Sequence, residues 1–192
     1  EVGDEQITIS FTGDAPDIEE DDILVGTENG GYLRKVSSVT IDGNIMEDTE
    51  YTVNPAGILI HTAVHGARED VQCITHTHTD AGMAVACSTE GLRTDNFYSA
   101  LLQNRVAYHD FEGLTVLDDE KPRLIANIGN KNLLILRNHG LLTCGRSIPE
   151  AFYNMWALQR SCEVQVDCDA TGKTIIPVSD EILAKEEQLM AI

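Results

Sequence analysis

One apolar run, residues 71–76, ends in histidine and constrains the fold of this chain more than any other segment. The letters VQCITHTH are typical of a buried β-strand. Side chains two residues apart on a strand point to the same face of the sheet. His76 and His78 are therefore predicted to converge on one side at the end of this strand.

Composition limits the classes of partner. Thirteen Lys and Arg residues against 32 Asp and Glu residues give a formal net charge of -19, and a field of that sign repels nucleic acid and anionic membranes. The five cysteines lack CxxC spacing and lie in segments patterned like core, which predicts free buried thiols in a reducing compartment. No apolar run approaches the ~18 residues that a membrane span needs. We expect a cytoplasmic protein without nucleic-acid or membrane partners.

Strand and helix patterns mix along the chain without strict β-α-β alternation. Strands are predicted in EQITISFTG, VSSVTIDGNIM (a hairpin), VQCITHTH, RVAYHDF and NLLILRNHG. Helices are predicted in NPAGILIHTAVHGARED, DAGMAVACS, TDNFYSALLQN, LDDEKPRLIANIGN and SIPEAFYNMWALQRSCEVQVDCDATG. This order predicts an α/β fold, with a central and mainly antiparallel sheet between helices in a three-layer α/β/α sandwich.

Local signals predict the helix ends and one buried face. We expect Asp80 to cap the helix after the two histidines, Thr94 or Asp95 to cap the next, and Ser147 to cap the longest. Four residues of that longest helix have the spacing of a buried face: Phe152, Tyr153, Trp156 and Leu158. We assign residues 1–172 to one domain and residues 173–192 to a tail with a short amphipathic helix that docks on the body or on a neighbouring subunit.

A third histidine, His139, also follows an apolar strand, NLLILRNHG. Three neutral imidazoles are a common donor set for Zn²⁺, in a site that leaves one position open for water or substrate. The pattern indicates a divalent transition metal, zinc or another such as manganese, at His76, His78 and His139. A single histidine is more often a satisfied core or surface residue, and periodicity alone does not place His139 beside the other two.

Four segments resemble the class II aldolase/adducin family: NPAGILIHTAVHGARED, THTHTDAGMAVA, NRVAYHDFEG and LILRNHGLLTCGRSIPEAF. The likeness runs through residues 36–170 and is closer to the adducin-like branch than to the sugar-phosphate aldolases of the fuculose-phosphate type. The resemblance implies an α/β/α sandwich, a small-molecule substrate and a homotetramer or dimer. It also implies that His76, His78 and His139 bind zinc or a related divalent metal.

The sequence departs from the lyase members of that family at two places. Their glutamate ahead of the NPAGILIH helix, which completes the metal shell and moves protons, corresponds to Gly57 here. Their phosphate-binding turns are altered, and we expect the helix that normally precedes the first strand to be absent. Asn29, Gly30 and Gly31 form either a hairpin turn or an anion-binding nest.

Other polar residues are candidates for the missing acid. Glu112 is the candidate catalytic residue, as a proton carrier near the metal. Three further residues are either partners of the site or ordinary cap and loop residues: Asp80, His109 and Asp110. His61 and His65, four residues apart on one helix, are interpreted as a helix-face pair, with His61 lining the same pocket.

Two functions compete at this point. The first is a metal-dependent aldehyde lyase, or a related epimerase or decarboxylase, that acts on a small hydroxy-carbonyl or sugar-derived compound. The second is a non-catalytic module like the adducin head, which serves oligomerisation and partner binding. Gly57 favours the second function, whereas the three histidines favour the first because packing a core does not require such a cluster.

Overall fold

The structure is a computed structural model that describes residues 8–11, 55–113 and 118–189. Its strands are β1 (Thr8–Phe11), β2 (Cys73–Thr77), β3 (Val106–His109), β4 (Leu133–Leu136) and β5 (Gly140–Gly145). Its helices are α1 (Pro55–Ala67), α2 (Asp80–Cys87), α3 (Phe97–Ala100), α4 (Lys121–Ile128), α5 (Ile148–Ala170) and α6 (Asp180–Leu189), with a 3₁₀ turn at Asp118–Glu120. The predicted hairpin VSSVTIDGNIM and the Asn29 turn lie outside the described residues.

The described strands form one five-stranded sheet in the order β1-β2-β5-β4-β3. Three neighbouring pairs are antiparallel, and only β3 and β4 run parallel. The mainly antiparallel sheet predicted from the sequence is therefore confirmed.

Two apolar clusters cover the two faces of the sheet and make the three layers. On one face α1 and α4 pack against alternate strand residues, among them Ile74, Leu134 and Leu142. On the other face α2 and α5 pack against Leu133, Ile135 and Leu141. Successive residues of β4 thus serve opposite layers, which explains why its sequence LLIL is continuously apolar rather than alternating.

The central strand β5 was not predicted from the sequence. It follows β4 after a turn in which Asn138 adopts a left-handed φ of 56°, a conformation that asparagine tolerates better than most residues. The apolar letters on both sides of RNHG conceal this reversal, because both strands are buried on both faces. The predicted strand NLLILRNHG therefore comprises β4, the turn and only the first residue of β5, with which β4 forms an antiparallel hairpin.

Helix caps differ from prediction in two of three cases. Thr79, not Asp80, caps α2, since its side chain accepts a hydrogen bond from the amide of Gly82. Asn96, not Thr94 or Asp95, caps α3. Ser147 caps α5 as predicted. In both wrong cases the residue next to the predicted one supplies the oxygen, because the extended backbone before the helix aims that side chain at the first turn.

The predicted buried face of α5 is wrong for its aromatic residues. Phe152, Tyr153 and Trp156 are 59%, 57% and 42% exposed, and only Leu158 is fully buried. The residues of α5 that face the sheet follow the helical repeat instead: Ala151, Asn154, Met155, Leu158 and Cys162. The aromatic side chains lie on the opposite face, where Trp156 packs edge-on against Tyr98 of α3, with ring centroids 5.5 Å apart.

The cysteines and the C-terminal helix α6 can be compared with the predictions from the sequence. All five cysteines are free thiols, but only Cys73, Cys144 and Cys162 are buried, whereas Cys87 is exposed. Helix α6 buries Leu183, and Asn104 donates a 3.0 Å hydrogen bond to Glu187 on it. Among the described helices, none is long and apolar enough to span a membrane.

We predict that truncating a buried side chain of α5 lowers the free energy of unfolding much more than truncating an exposed one. Leu158→Ala should lower the free energy of unfolding by about 2–5 kcal/mol, because it removes a fully buried side chain between sheet and helix. Asp167→Ala, at an exposed position of the same helix, is the control and should change it by about 0.5 kcal/mol or less. Urea unfolding followed by far-UV circular dichroism measures both. Equal losses in the two variants would contradict the orientation of α5.

Candidate metal centre

Three histidines reach one point from two neighbouring strands. His76 lies within β2, and its backbone pairs with Leu142 of β5. His78 follows two residues later, just beyond the end of β2, and His139 occupies the turn between β4 and β5. Because β2 and β5 are antiparallel, the end of one strand lies beside the start of the other, so the H-x-H segment meets the histidine that precedes Gly140.

The three rings form a compact triangle. Ring centroids are 4.6 Å apart for His76 and His78, 4.9 Å for His76 and His139, and 4.7 Å for His78 and His139. One ring nitrogen from each residue lies within 4.8 Å of the others. The Nε2 atoms of His76 and His78 are 2.8 Å apart. Such a set of nitrogen donors fits a divalent transition metal.

A backbone carbonyl orients His76. Its Nδ1 atom lies 2.8 Å from the carbonyl oxygen of Leu141 in β5, and a carbonyl can only accept, so Nδ1 carries the proton. The lone pair is then on Nε2, which points toward the other two histidines. Metal-binding histidines are commonly fixed in this way through their second nitrogen.

Burial keeps the three imidazoles neutral at physiological pH. It lowers the pKa of His76 to about 3, and the neighbouring His139 and His78 lower it further. Burial and the nearby His78 and His109 lower the pKa of His139 to about 4. The pKa of His78 is lowered by burial as well. Neutral imidazole is the form that binds metal, so these shifts prepare the cluster as a ligand set.

Close backbone packing at Gly140 makes this convergence possible. A Cβ atom added at Gly140 would lie 2.3 Å from the carbonyl oxygen of Thr77 and 3.0 Å from Cδ2 of His78. Any larger residue would therefore push β5 away from β2 at the position of the histidines. The glycine of the HG element thus has a steric role in placing the ligands.

A shallow hollow opens beside His139. Three carboxylate residues are among those that line it: His109, Asp110, Phe111, Glu112, Gly113, Glu120, Leu136, Arg137 and His139. The guanidinium of Arg137 lies 4.4 Å above the ring of Tyr108 and donates a 2.7 Å hydrogen bond to the carbonyl of Ser88. These contacts fix the Arg137 side chain beside Tyr108.

Glu112 lies at the exposed rim of this hollow. Its carboxylate accepts hydrogen bonds of 2.7 and 2.5 Å from Nε and Nη2 of Arg123. The hydrogen-bonded Arg123 guanidinium lowers the pKa of Glu112. A carboxylate clamped in this way holds its negative charge and is a weak base.

A buried pair that the sequence did not reveal lines the same hollow. His109, at the end of β3, lies with its Nε2 atom 3.1 Å from Oε1 of Glu120, and both residues are buried. The amide nitrogen of Asn127 lies 2.9 Å from the other ring nitrogen, Nδ1. Glu120 could not be singled out because LDDEKPRL reads as an ordinary acidic start of a helix. His109 was one of several loop candidates.

The other candidates have different surroundings. His61 is buried in α1, and its charge contributes to lowering the pKa of His76, which places it near the cluster. His65 is also buried, and its Nδ1 lies 3.2 Å from the carbonyl of Val71. Asp80 is exposed in the first turn of α2. Gly57 is buried one helical turn before His61 and has no side chain to offer.

A protein-family model matches most of the chain. Residues 31–166 match the class II aldolase and adducin N-terminal domain. Among curated relatives, a Pseudomonas aeruginosa protein provisionally named an aldolase class 2 protein is 45% identical over 153 residues, which are 80% of this chain and 59% of the relative. Alpha-adducin of Rattus norvegicus is 44% identical over 131 residues, which are 67% of this chain and 18% of that protein.

Two solved structures agree with the fold. An aldolase II superfamily protein from Pseudomonas syringae superimposes with a TM-score of 0.75 at 41% identity, over 78% of this chain and 61% of that one. An L-fuculose 1-phosphate aldolase from Glaciozyma antarctica PI12 gives a TM-score of 0.67 at 28% identity, over 79% of this chain and 58% of that one. The chain thus spans about three fifths of the bacterial curated relative and of these structures.

We predict that Gly140→Ala disrupts the centre. The added methyl group meets the Thr77 carbonyl, so the histidines separate and zinc affinity should fall by about tenfold or more. Asn138→Gly, in the same turn, is the control: glycine adopts the left-handed conformation readily, so affinity should be retained. Competition with a chromophoric chelator measures both affinities. Wild-type affinity in Gly140→Ala would contradict the steric role.

Buried His61 should make the metal-free protein sensitive to acid. Burial, assisted by His65, lowers the pKa of His61 to about 3 from its usual 6.5. Between these pH values the unfolded state binds more protons, so the stabilisation is complete above pH 6.5 and is lost as the pH falls. In EDTA, His61→Gln should lose stability less steeply than wild type, by about 1.4 kcal/mol per pH unit at most. Urea unfolding at several pH values measures the slopes, and equal slopes would refute this account.

Proposed function

The chain belongs to the class II aldolase and adducin N-terminal domain family, and we propose that it binds a divalent transition metal through His76, His78 and His139 in a lyase-like enzyme. The carrying observation is the convergence of three neutral imidazoles with ligand nitrogens within 4.8 Å of one another. A bound zinc or manganese ion supplies Lewis acidity, which polarises a carbonyl oxygen. The proposed reaction depends on this metal-binding role.

The hollow beside His139 supports a small hydroxy-carbonyl or sugar-derived substrate. Its carboxylates are hydrogen-bond acceptors for hydroxyl groups. The likeness to an L-fuculose 1-phosphate aldolase at 28% identity favours aldehyde-lyase chemistry, with epimerisation or decarboxylation as variants.

Lyase chemistry also needs a proton carrier. Cleavage of a carbon–carbon bond near a carbonyl requires a group that takes up and returns a proton. Gly57 cannot do this. Glu112 stays a prediction for this role, supported by its place at the rim of the hollow and weakened by its pairing with Arg123.

We also propose that the chain assembles as a dimer or tetramer. The exposed aromatic side chains of α3 and α5 support this assembly. We further propose that residues 1–172 form the domain and residues 173–192 the tail, in which α6 reaches Asn104 of the body. The free cysteines favour a reducing compartment such as the cytoplasm.

A non-catalytic, adducin-like module is the second candidate function. The 44% identity to alpha-adducin and the exposed aromatic residues Phe152, Tyr153 and Trp156 favour it. Release of dihydroxyacetone phosphate or a free aldehyde from sugar phosphates and hydroxy-carbonyl compounds discriminates between the two functions. Turnover supports the lyase, whereas a zinc-loaded protein that turns over none of these compounds favours the module.

Metal analysis tests the centre itself. After dialysis against zinc, wild type should retain one metal per chain, whereas His76→Ala and His139→Ala should bind zinc about tenfold or more weakly, because each loses a ligand. His65→Gln, a buried histidine outside the cluster, is the matched control and should keep wild-type stoichiometry. Inductively coupled plasma mass spectrometry gives the metal content. Unchanged zinc in both alanine variants, or no zinc in wild type, would overturn the proposed site.

A further inference from the structure

We infer that the buried pair His109 and Glu120 is the proton carrier of this site and takes the place of the acid that Gly57 lacks. The inference rests on the proposed function. Both side chains line the hollow that His139 also lines, and their polar atoms Nε2 and Oε1 are 3.1 Å apart. A carboxylate and an imidazole in contact, buried beside a candidate metal centre, form an arrangement suited to proton transfer.

The pair lies in the layer from which the family acid is missing. Gly57 is part of α1, and α1 packs beside α4 on the same face of the sheet. Glu120 immediately precedes α4, and His109 ends β3 in the strand pair below it. A carboxylate at the start of α4 therefore approaches the centre from the neighbouring helix of the same layer.

Asn127 lets the pair exist with or without an extra proton. In the observed arrangement the Asn127 amide donates to Nδ1, so the neutral ring carries its proton on Nε2 and donates it to Glu120. If the amide rotates by half a turn, its oxygen accepts from a protonated Nδ1. Both ring nitrogens then remain hydrogen-bonded in either state. Asn127 is exposed, so this rotation is not blocked by core packing.

The charged surroundings distinguish this pair from Glu112. Asp110, Glu112, Arg137 and His139 also line the hollow, and Arg123 clamps Glu112. Arg123 keeps its charge, so Glu112 has a fixed cationic partner. Glu120 contacts an imidazole, a kind of group that can itself gain or lose a proton, which is the property that a carrier requires.

The pair accepts the hydroxyl proton of the substrate while the carbon–carbon bond breaks, and the bonding electrons move to the carbonyl side as an enediolate. The aldehyde leaves, and the pair returns the proton to the enediolate carbon, forming a C–H bond. Run in reverse on the small ketone alone, the pair removes that C–H proton and returns one from solvent. No oxidant or reductant is consumed.

Solvent exchange into a small ketone tests the assignment. Zinc-loaded wild type in D₂O should exchange a C–H hydrogen beside the carbonyl of dihydroxyacetone or dihydroxyacetone phosphate, followed by proton NMR. Glu120→Gln and His109→Gln should slow this exchange by about 100-fold or more, since general acid–base groups contribute that much. Asn127→Ala, at an exposed position that tolerates change, should slow it as well. Glu69→Gln, an exposed glutamate beyond α1, is the control and should exchange at the wild-type rate.

One further measurement separates failure of this assignment from failure of the site. Zinc affinity should be unchanged in Glu120→Gln and His109→Gln, whereas a wild type that binds no zinc overturns the proposed function.

Several results would overturn the proton-carrier assignment. These are wild-type exchange in Glu120→Gln and His109→Gln, loss of exchange in Glu112→Gln alone, or no exchange by zinc-loaded wild type on either ketone. If Glu120→Gln fails to fold by circular dichroism, His109→Gln and Asn127→Ala carry the test. Wild-type exchange in both would then overturn the assignment.

Discussion

Antiparallel pairing of β2 with β5 is the constraint on which the candidate site depends. It places the H-x-H segment beside the turn that carries His139, and it brings the Leu141 carbonyl within 2.8 Å of His76. The pairing is close at Gly140, where a Cβ atom would meet the Thr77 carbonyl at 2.3 Å. The ligands, the carbonyl that orients one of them and the glycine that admits them therefore all derive from one strand contact.

The electrostatics of the cluster favour a cation over protons. Two of the imidazoles lower the proton affinity of a neighbour: His139 and His78 lower the pKa of His76, and His78 lowers that of His139. A divalent cation shared by the three nitrogens replaces this mutual repulsion with attraction. The net charge of -19 also draws cations toward the protein. Burial of three histidines is thus unfavourable for protonation and favourable for metal binding.

Sequence patterns predicted much of the fold and part of the candidate site, for physical reasons. Period-two spacing predicted that His76 and His78 share a face, and the motif resemblance brought in His139. Patterns failed where tertiary contact decides: β5, directly after the turn that carries His139, was not recognised as a separate strand, and Trp156 lies on the exposed face of α5 although its neighbours suggest a core. Glu120 was missed because only the packing of α4 against β3 makes it buried and pairs it with His109.

Gly57 has no side chain to offer, yet the residues that line the hollow beside His139 include a buried acid from the same layer. Helices α1 and α4 cover the same face of the sheet. Glu120 immediately precedes α4 and contacts the imidazole of His109. A buried carboxylate retained only for packing is costly, since an apolar residue of similar volume would serve at least as well. The same argument applies to His109, so the pair is better explained by chemistry than by the core.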